Sequence, residues 1–216
     1  MKLQWLGHAC FKISHKDYSI VIDPYDADYV PGYKTLKVKA DKVLVSHNHY
    51  GHNYKKGVIL SGRPESDCPF EITSFEVSHD SIYGRMRGNC LVHILEADGL
   101  KIAHMGDIGT QLNGGEITQL FGVDALMVGA GSMRALPSPE IFRMTEELYP
   151  KAIIPMHYHD GPRGYKRLEP LDNLVKQYQS PEMIHWYDTD TIEINEDTEP
   201  QVAVLKFLGG RNGDFT

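Results

Sequence analysis

Three histidines lie close together in the segment Val45-Ser46-His47-Asn48-His49-Tyr50-Gly51-His52. One residue separates His47 from His49, so on extended backbone both imidazoles point to the same side and can reach one ion. His52 follows three residues later, a spacing that suits a loop bending around a second position. Neutral imidazole binds zinc at about 2.0–2.1 Å, and catalytic zinc usually keeps three protein ligands and an open position for water. The segment therefore predicts a metal site.

A predicted strand positions this segment. Lys42–Ser46 contains the apolar run Val43-Leu44-Val45, typical of a strand covered on both faces, and it leads directly into His47. Rigid sheets commonly present functional groups where a strand emerges into a loop. The other runs with strand character are Leu3–Leu6, Cys10–Ser14, Ser19–Ile22, Phe70–Ser78, Leu91–Ala97, Lys101–His104, Ala125–Gly129 and Ala152–Pro155.

Helical patterns are confined to the second half of the chain. Ser138-Pro139 supplies an N-cap and a first-turn proline for one helix. The tail, Met183–Leu208, predicts two or three strands. Because the chain has no repeat, low-complexity tract or linker, we expect a single mixed α/β domain over residues 1–216. The predicted helices are Glu116–Phe121, Ser138–Tyr149 and Pro170–Gln179.

Several short motifs follow one another in a defined order. They are Trp5-Leu6-Gly7-His8-Ala9, Ile22-Asp23-Pro24, His47-x-His49-x-x-His52, Val77-Ser78-His79-Asp80, Met105-Gly106-Asp107 and Ile154-Pro155-Met156-His157-Tyr158. In this order they resemble the metallo-β-lactamase superfamily of hydrolases, most closely its ascorbate-6-phosphate lactonase-like branch. The resemblance covers nearly the whole chain. It implies an α/β (α+β) fold, a four-layer αββα sandwich with the site at one edge of the sheets.

The resemblance implies two adjacent metal sites. His47, His49 and His79 would hold the first ion, His52 and His157 the second, and Asp107 would bridge them. Two cations sharing one water lower its pKa enough to make a nucleophile near neutral pH, and they polarise the oxygen under attack. The expected activity is hydrolysis of an ester, lactone, amide or phosphoester, with Asp107 and His52 as catalytic residues. The expected metal is zinc, as one or two ions, with manganese or iron as alternatives.

Position 51 departs from the superfamily's signature H-x-H-x-D-H. Gly51 stands where an aspartate normally ligates the second metal and helps to orient the water. The alternative to a hydrolase is therefore a non-catalytic or mononuclear metal- or ligand-binding protein on the same scaffold. Iron-based redox chemistry ranks lower, since members with that role carry a glutamate where this chain has His49. The candidate substitutes for the aspartate are Asp160, His159, Asp80 and an extra water.

Other residues are expected around the ligands. Asp23 would accept a hydrogen bond from a ligand imidazole and so fix its tautomer and orientation. His8 is either a core histidine or a wall of the metal pocket. Solvent is the common environment of arginine, but four arginines lie near predicted pocket loops and are candidates to clamp a phosphate or carboxylate. These are Arg85, Arg87, Arg134 and Arg163.

Composition excludes several classes of function. The formal net charge is −7 and no basic stripe is present, which disfavours a nucleic-acid partner. Apolar runs are strand-sized, and the N-terminal MKLQWLGHACFKIS lacks the features of an export signal, so neither a membrane nor a β-lactam substrate is expected. Cys10, Cys68 and Cys90 are widely spaced, which is poor material for a disulfide framework. We therefore expect free thiols in a reducing compartment. We expect a cytoplasmic protein acting on a small molecule, with no prediction of its oligomeric state.

Overall fold

Two mixed β-sheets and three α-helices make up most of the computed structural model, which describes residues 1–209. The elements are β1 (Lys2–Gly7), β2 (Cys10–His15), β3 (Tyr18–Ile22), β4 (Val38–Ala40), β5 (Lys42–Leu44), β6 (Val58–Leu60), β7 (Glu71–Ser78), β8 (Asn89–Ala97), β9 (Leu100–His104), α1 (Gly114–Leu120), β10 (Ala125–Gly129), α2 (Ser138–Leu148), β11 (Ala152–Met156), α3 (Leu171–Val175), β12 (Ile184–Trp186), β13 (Thr191–Glu193) and β14 (Gln201–Val204). One sheet has the order β13-β1-β2-β3-β5, the other β12-β14-β11-β10-β9-β8-β7, and β4 pairs with β6.

The first three strands bury side chains on both faces of their sheet. Successive strand residues point to opposite faces, so Leu3 and Phe11 enter the core shared with the seven-stranded sheet. Cys10 and Val21 point the other way, into a second apolar cluster formed with residues 25–58. The outer face of the five-stranded sheet is thus covered by an irregular segment and the β4–β6 pair.

The helices belong to the seven-stranded sheet. Its strands β9, β10, β11 and β14 are parallel, and parallel neighbours need crossover connections, which α1 and α2 supply. Strand β11 is buried throughout, as its continuous apolar run predicts for a strand covered on both faces. Helix α2 packs Ile141, Met144 and Leu148 into the core. Within residues 1–209, all three α-helices follow β9 in the chain.

The predicted fold class is confirmed, with differences in individual elements. The strand expected over Lys42–Ser46 ends at Leu44 and is only half-buried, because Val43 and Leu44 lie at the margins of the two apolar clusters. The helix expected over Pro170–Gln179 is shorter, because Gln177 and Tyr178 donate to carbonyls three residues back and the last turn tightens.

The tail forms three short strands, at the upper limit of the prediction. Strands β12 and β14 extend the seven-stranded sheet, whereas β13 pairs with β1 in the other sheet. Strands β4 and β6 were not predicted.

The single-domain organisation stays a prediction, and its last seven residues, 210–216, lie outside the described part of the chain. No helix in the described part has the length and apolar character needed to cross a membrane.

Candidate metal centre

The residues expected to form the site follow the carboxyl ends of strands, and those strands point to one edge. Strands β1 and β3 are both antiparallel to β2, and β5 is parallel to β3, so these three run in one direction. In the second sheet, β7 and β9 are both antiparallel to β8, and β10 is parallel to both β9 and β11. Strands β7, β9 and β11 therefore also run in one direction. The residues that follow these ends are His8, Asp23 and His47 in the first sheet and His79, Asp107 and His157 in the second.

The three imidazoles expected at the first ion form a close group. His79 Nε2 lies 3.3 Å from His49 Nδ1. The ring centroid of His47 lies 4.3 Å from that of His79 and 4.5 Å from that of His49. One ring nitrogen of each lies within 4.8 Å of the others. This spacing is compatible with three nitrogens that share one cation.

Asp107 lies between this group and the two remaining histidines. Its Oδ2 is 3.4 Å from His52 Nε2 and 3.7 Å from His79 Nε2. Its Oδ1 is 3.2 Å from His157 Nδ1. The backbone carbonyl of the same residue accepts a hydrogen bond of 2.8 Å from His79 Nδ1, which leaves His79 Nε2 facing the group. The carboxylate therefore occupies the position expected of a bridging ligand.

Two atoms at the centre are buried without a hydrogen-bond partner in the described residues. They are His47 Nε2 and Asp107 Oδ1. A buried polar atom that lacks a partner costs free energy, and an ionised carboxylate costs more than an amide or hydroxyl. A cation among these side chains would satisfy both atoms. The residues present therefore fit the metal centre that the resemblance implies.

A hydrogen-bonded chain orients two of the imidazoles. Asp23 Oδ2 accepts from His52 Nδ1 at 2.8 Å and from the Ser46 hydroxyl at 2.6 Å. Asp23 Oδ1 accepts from the Ser46 backbone N–H at 2.6 Å. Since the Ser46 hydroxyl donates to Asp23, it accepts from His47 Nδ1, 2.9 Å away. Both histidines thus carry their protons on Nδ1 and turn Nε2 toward the centre, as oriented metal ligands do.

Three of the seven non-glycine residues with a left-handed φ in the described part of the chain lie at the same edge. His8, Asp23 and His157 have φ values of 53°, 51° and 52°, in the left-handed region that non-glycine residues rarely adopt. Such conformations cost on the order of 1–3 kcal/mol each and persist only where the surroundings enforce them. All three residues directly follow a strand, so the strain lies where the chain turns away from the sheet to present a side chain.

Burial and neighbouring charges shift the pKa values of the histidines at the centre in two directions. Burial lowers the pKa of His47 to about 2 and that of His157 to about 4, and in both the neighbouring imidazoles add to this effect. Burial opposes the charged form of His52 as well, but the carboxylates of Asp107 and Asp23 outweigh it and raise the pKa of His52 to about 10. At neutral pH His47 and His157 therefore offer the neutral lone pairs that metal binding requires.

Comparison with known proteins assigns the chain to a family. The family model of the β-lactamase superfamily domain matches residues 2–157, more than half of the sequence. This chain belongs to the metallo-β-lactamase superfamily. Membership confirms the resemblance at the level of the superfamily, while the ascorbate-6-phosphate lactonase-like branch stays a prediction.

Relatives in the superfamily share the fold over most of their length. A metal-dependent hydrolase of Natranaerobius thermophilus is 24% identical over 90% of this chain and 100% of its own length. The structure of a candidate Zn-dependent hydrolase from Thermotoga maritima is 28% identical, with a TM-score of 0.71 over 94% of this chain and 97% of that one. The human short-form tRNase Z is 10% identical, with a TM-score of 0.56 over 74% and 93%, and shares the fold alone. Family and relatives support the coarser functional prediction, a metal-dependent hydrolase.

The candidate substitutes for the superfamily's signature aspartate are engaged elsewhere. The Asp80 carboxylate accepts four backbone hydrogen bonds from residues 82–87 and so organises that loop. His159 Nδ1 donates to the carbonyl of Arg163 at 3.0 Å, and Asp160 forms an ion pair with the same arginine. These contacts disfavour all three as ligands of a second ion.

His8 lies beside the candidate ligands His52 and His157, and its role as a wall of the metal pocket stays a prediction. Its ring is fully buried, and its centroid lies 4.2 Å from that of His157 and 5.4 Å from that of His52. One ring nitrogen of each of these three residues lies within 4.8 Å of the others. The motif order alone indicated a place near the site, but gave no measure of how closely His8 approaches the ligands.

An open cavity of about 480 Å³ lies over the centre. Its walls include Asp107, His157 and two arginines, Arg87 and Arg167. Arg87 was among the four arginines considered from the sequence, whereas the other three do not line this cavity. Arg167, whose guanidinium lies 4.0 Å from the Tyr165 ring centroid, was missed because no local pattern distinguishes it from a solvated loop residue. The cavity therefore combines the histidine cluster with positive charge.

Proposed function

We propose that this protein is a hydrolase that uses one or two bound metal ions, zinc first, to cleave an ester, lactone, amide or phosphoester bond in a small anionic molecule. Manganese and iron are the alternative metals. The observation that carries the proposal is the convergence of His47, His49, His52, His79, His157 and Asp107 beneath an open cavity. Bound metal would supply an acidified water nucleophile and polarise the oxygen under attack.

The position of each residue at the centre indicates its proposed role. His47, His49 and His79 would hold the first ion, and His52 and His157 would contribute to the second. Asp107, the carboxylate at the centre, would be shared by the two ions and would orient the attacking water. Asp23 keeps His52 Nε2 directed at the centre through its 2.8 Å hydrogen bond with Nδ1. The relatives named as metal-dependent and candidate Zn-dependent hydrolases support this assignment.

Charge in the cavity favours an anionic substrate. Arg87 and Arg167 both line the cavity, so two guanidinium groups lie in its wall. Burial lowers the pKa of Arg87, Asp107 opposes this shift, and the charge of the nearby Arg167 adds to it. A guanidinium recognises carboxylate or phosphate with two parallel hydrogen bonds. The net charge of −7 argues against a polyanion such as nucleic acid, so the proposed substrate is a small anion. A cytoplasmic location, expected from the sequence, belongs to this proposal.

Metal content and turnover test the proposal together. Purified protein reconstituted with zinc should retain at least one equivalent by elemental analysis and should cleave members of a panel of nitrophenyl esters, phosphodiesters and lactones. A chelator should abolish turnover and added zinc should restore it. The His47→Ala/His49→Ala double variant should lose the first ion and reduce turnover by several orders of magnitude, since two of its three imidazoles are gone.

The outcomes separate the candidate functions. Fewer than half an equivalent of zinc, manganese or iron after reconstitution refutes a metal-dependent enzyme. Tight metal binding without turnover on any substrate class supports the alternative raised by Gly51, a metal- or ligand-binding protein on a hydrolase scaffold. The conservative variant His185→Gln, at an exposed position on β12, controls for loss of a histidine elsewhere and should retain metal and activity.

A further inference from the structure

The glycine at position 51 is explained by its neighbour rather than by its backbone. Its φ lies outside the left-handed region, so the local conformation accepts any L-residue. A Cβ at this position would lie 2.9 Å from His8 Nε2 and 3.3 Å from His8 Cδ2. The next atom, Val30 Cγ2, would be at an ordinary 3.7 Å. The His8 imidazole therefore fills the space into which a side chain at position 51 would project.

His8 occupies that space with its ring nitrogens unused. Both Nδ1 and Nε2 are buried and have no hydrogen-bond partner within residues 1–209. Burying a polar side chain without a partner is unfavourable, so a fully buried imidazole with two such atoms points to a ligand that satisfies at least one of them. Among the aromatic rings around His8, those of His157 and His52 are the nearest, and one ring nitrogen of each of the three lies within 4.8 Å of the others.

The backbone holds His8 in this position. Its carbonyl accepts hydrogen bonds from the Trp5 indole at 2.9 Å and from the His157 backbone N–H at 3.0 Å. The second bond ties the end of β1 to the end of β11, and so ties His8 directly to a predicted metal ligand. The left-handed φ of 53° at His8 is enforced by these contacts. The imidazole is therefore preorganised and does not need to move into place.

We propose that His8 is the third side-chain ligand of the second metal site and takes the place of the signature aspartate that Gly51 replaces. The inference rests on the proposed function, since it requires that the centre binds metal. The second ion would then be held by His8, His52 and His157 with the bridging Asp107. Exchanging a carboxylate for an imidazole makes this site richer in nitrogen, which favours zinc over manganese.

Zinc stoichiometry in His8→Phe tests the assignment. Phenylalanine keeps an aromatic ring of similar shape but removes both nitrogens. Wild-type protein should bind two equivalents of zinc in calorimetric titration and retain them after gel filtration. In His8→Phe the first equivalent should remain, while binding of the second should weaken by at least about 100-fold, since loss even of a hydrogen-bond partner behind a ligand costs 10–100-fold. The matched control is His93→Gln, a buried histidine of β8 that bonds to Ser74, and it should keep both equivalents.

A rescue variant distinguishes ligation from packing. In His8→Ala the ring that blocks position 51 is gone, and His8→Ala/Gly51→Asp adds the carboxylate of the superfamily signature. The single variant should bind one equivalent of zinc and the double variant two. A role of His8 in packing alone predicts that the folded single variant keeps two equivalents. His8→Ala also serves as the deletion if His8→Phe does not fold.

Each result has one interpretation. Two equivalents of zinc in either single variant, or one equivalent in the wild type, overturns the assignment of His8. A wild type that binds none of zinc, manganese and iron refutes the proposed function itself, and that result differs from the first two. Turnover is not needed for any of these measurements.

Discussion

At the scale of single residues, the proposed preference for anionic substrates rests on two arginines in the cavity wall. Arg87 and Arg167 lie in the same wall as Asp107 and His157, the residues expected to contact the metal. A hydrogen bond to a charged group is worth about 1.5–3 kcal/mol. Removal of one guanidinium should therefore affect charged substrates far more than neutral ones.

We expect Arg167→Ala to raise KM for an anionic ester by roughly 10- to 100-fold, as loss of one charge-assisted hydrogen bond predicts. The KM of a neutral ester and the metal content should be unchanged. Steady-state kinetics on a matched pair of charged and uncharged nitrophenyl esters would measure the effect. Arg143→Ala, which removes an exposed arginine that pairs with Glu140 on α2, is the control. An equal change for both esters would contradict a charge-selecting role.

At the scale of secondary-structure elements, two strand ends approach each other at a glycine. The backbone N–H of Gly109 donates to Ser78 O at 2.7 Å, joining the loop after β9 to the end of β7. A Cβ at position 109 would lie 2.2 Å from the Asp80 backbone nitrogen and 2.5 Å from the His79 carbonyl carbon. Since both are backbone atoms, the loops would have to separate, and with them His79 and Asp107.

Gly109→Ala should therefore destabilise the fold by roughly 1–3 kcal/mol, as overpacking does, and weaken binding of the first ion. Urea unfolding of the metal-free protein and a zinc competition titration would measure the two effects. Gly114→Ala is the matched control, because a Cβ at the start of α1 meets no atom within 4 Å. Unchanged zinc affinity in a folded Gly109→Ala protein would show that the spacing of these two loops does not govern the site.

At the scale of the whole molecule, the buried histidine cluster makes stability depend on pH. His47, with a pKa of about 2, and His49 and His157, each lowered to about 4, bind protons less readily in the folded protein than in the unfolded chain. Their contribution to stability is complete above about pH 6.5, the unperturbed histidine pKa, and is lost as pH falls. His52 acts in the opposite direction, because its pKa of about 10 favours the folded state until the pH rises toward that value.

The metal-free protein should thus lose thermal stability between about pH 6.5 and pH 4, because His52 is protonated in both the folded and the unfolded state over this range and does not offset the histidines whose pKa is lowered. Zinc should raise the melting temperature at pH 7 and steepen this fall, because protons compete for the same nitrogens. Melting curves across pH, with and without zinc, would measure both effects. A variant with glutamine at positions 47, 49 and 157 should show a flatter profile, and His185→Gln should not. A melting temperature independent of pH over this range would contradict the account.

Local sequence was sufficient for the parts of the site that lie within one segment. The H-x-H spacing of His47 and His49 places both imidazoles on one side of an extended chain, whatever the rest of the fold does. Capping was predicted less well: Ser138, predicted as the N-cap of α2, is its first helical residue and follows the observed cap, Pro137. The capping box that Asn113 and Glu116 form at α1 starts that helix two residues before the predicted Glu116. The short strands β4 and β6 gave no such signal, because three residues are too few to show an alternation.

Sequence by itself determined the fold class and the order of the motifs, and through them the superfamily. Only the tertiary structure decided which distant side chains meet. Asp80 lies one residue from His79, yet its carboxylate is used by its own loop, whereas Arg167 enters the cavity wall without any local pattern. His8 fills the space beside Gly51 because β1 and β5 end at the same edge of one sheet. The reason is physical: spacing governs neighbours along the chain, but contacts across the molecule depend on how the sheets pair and stack.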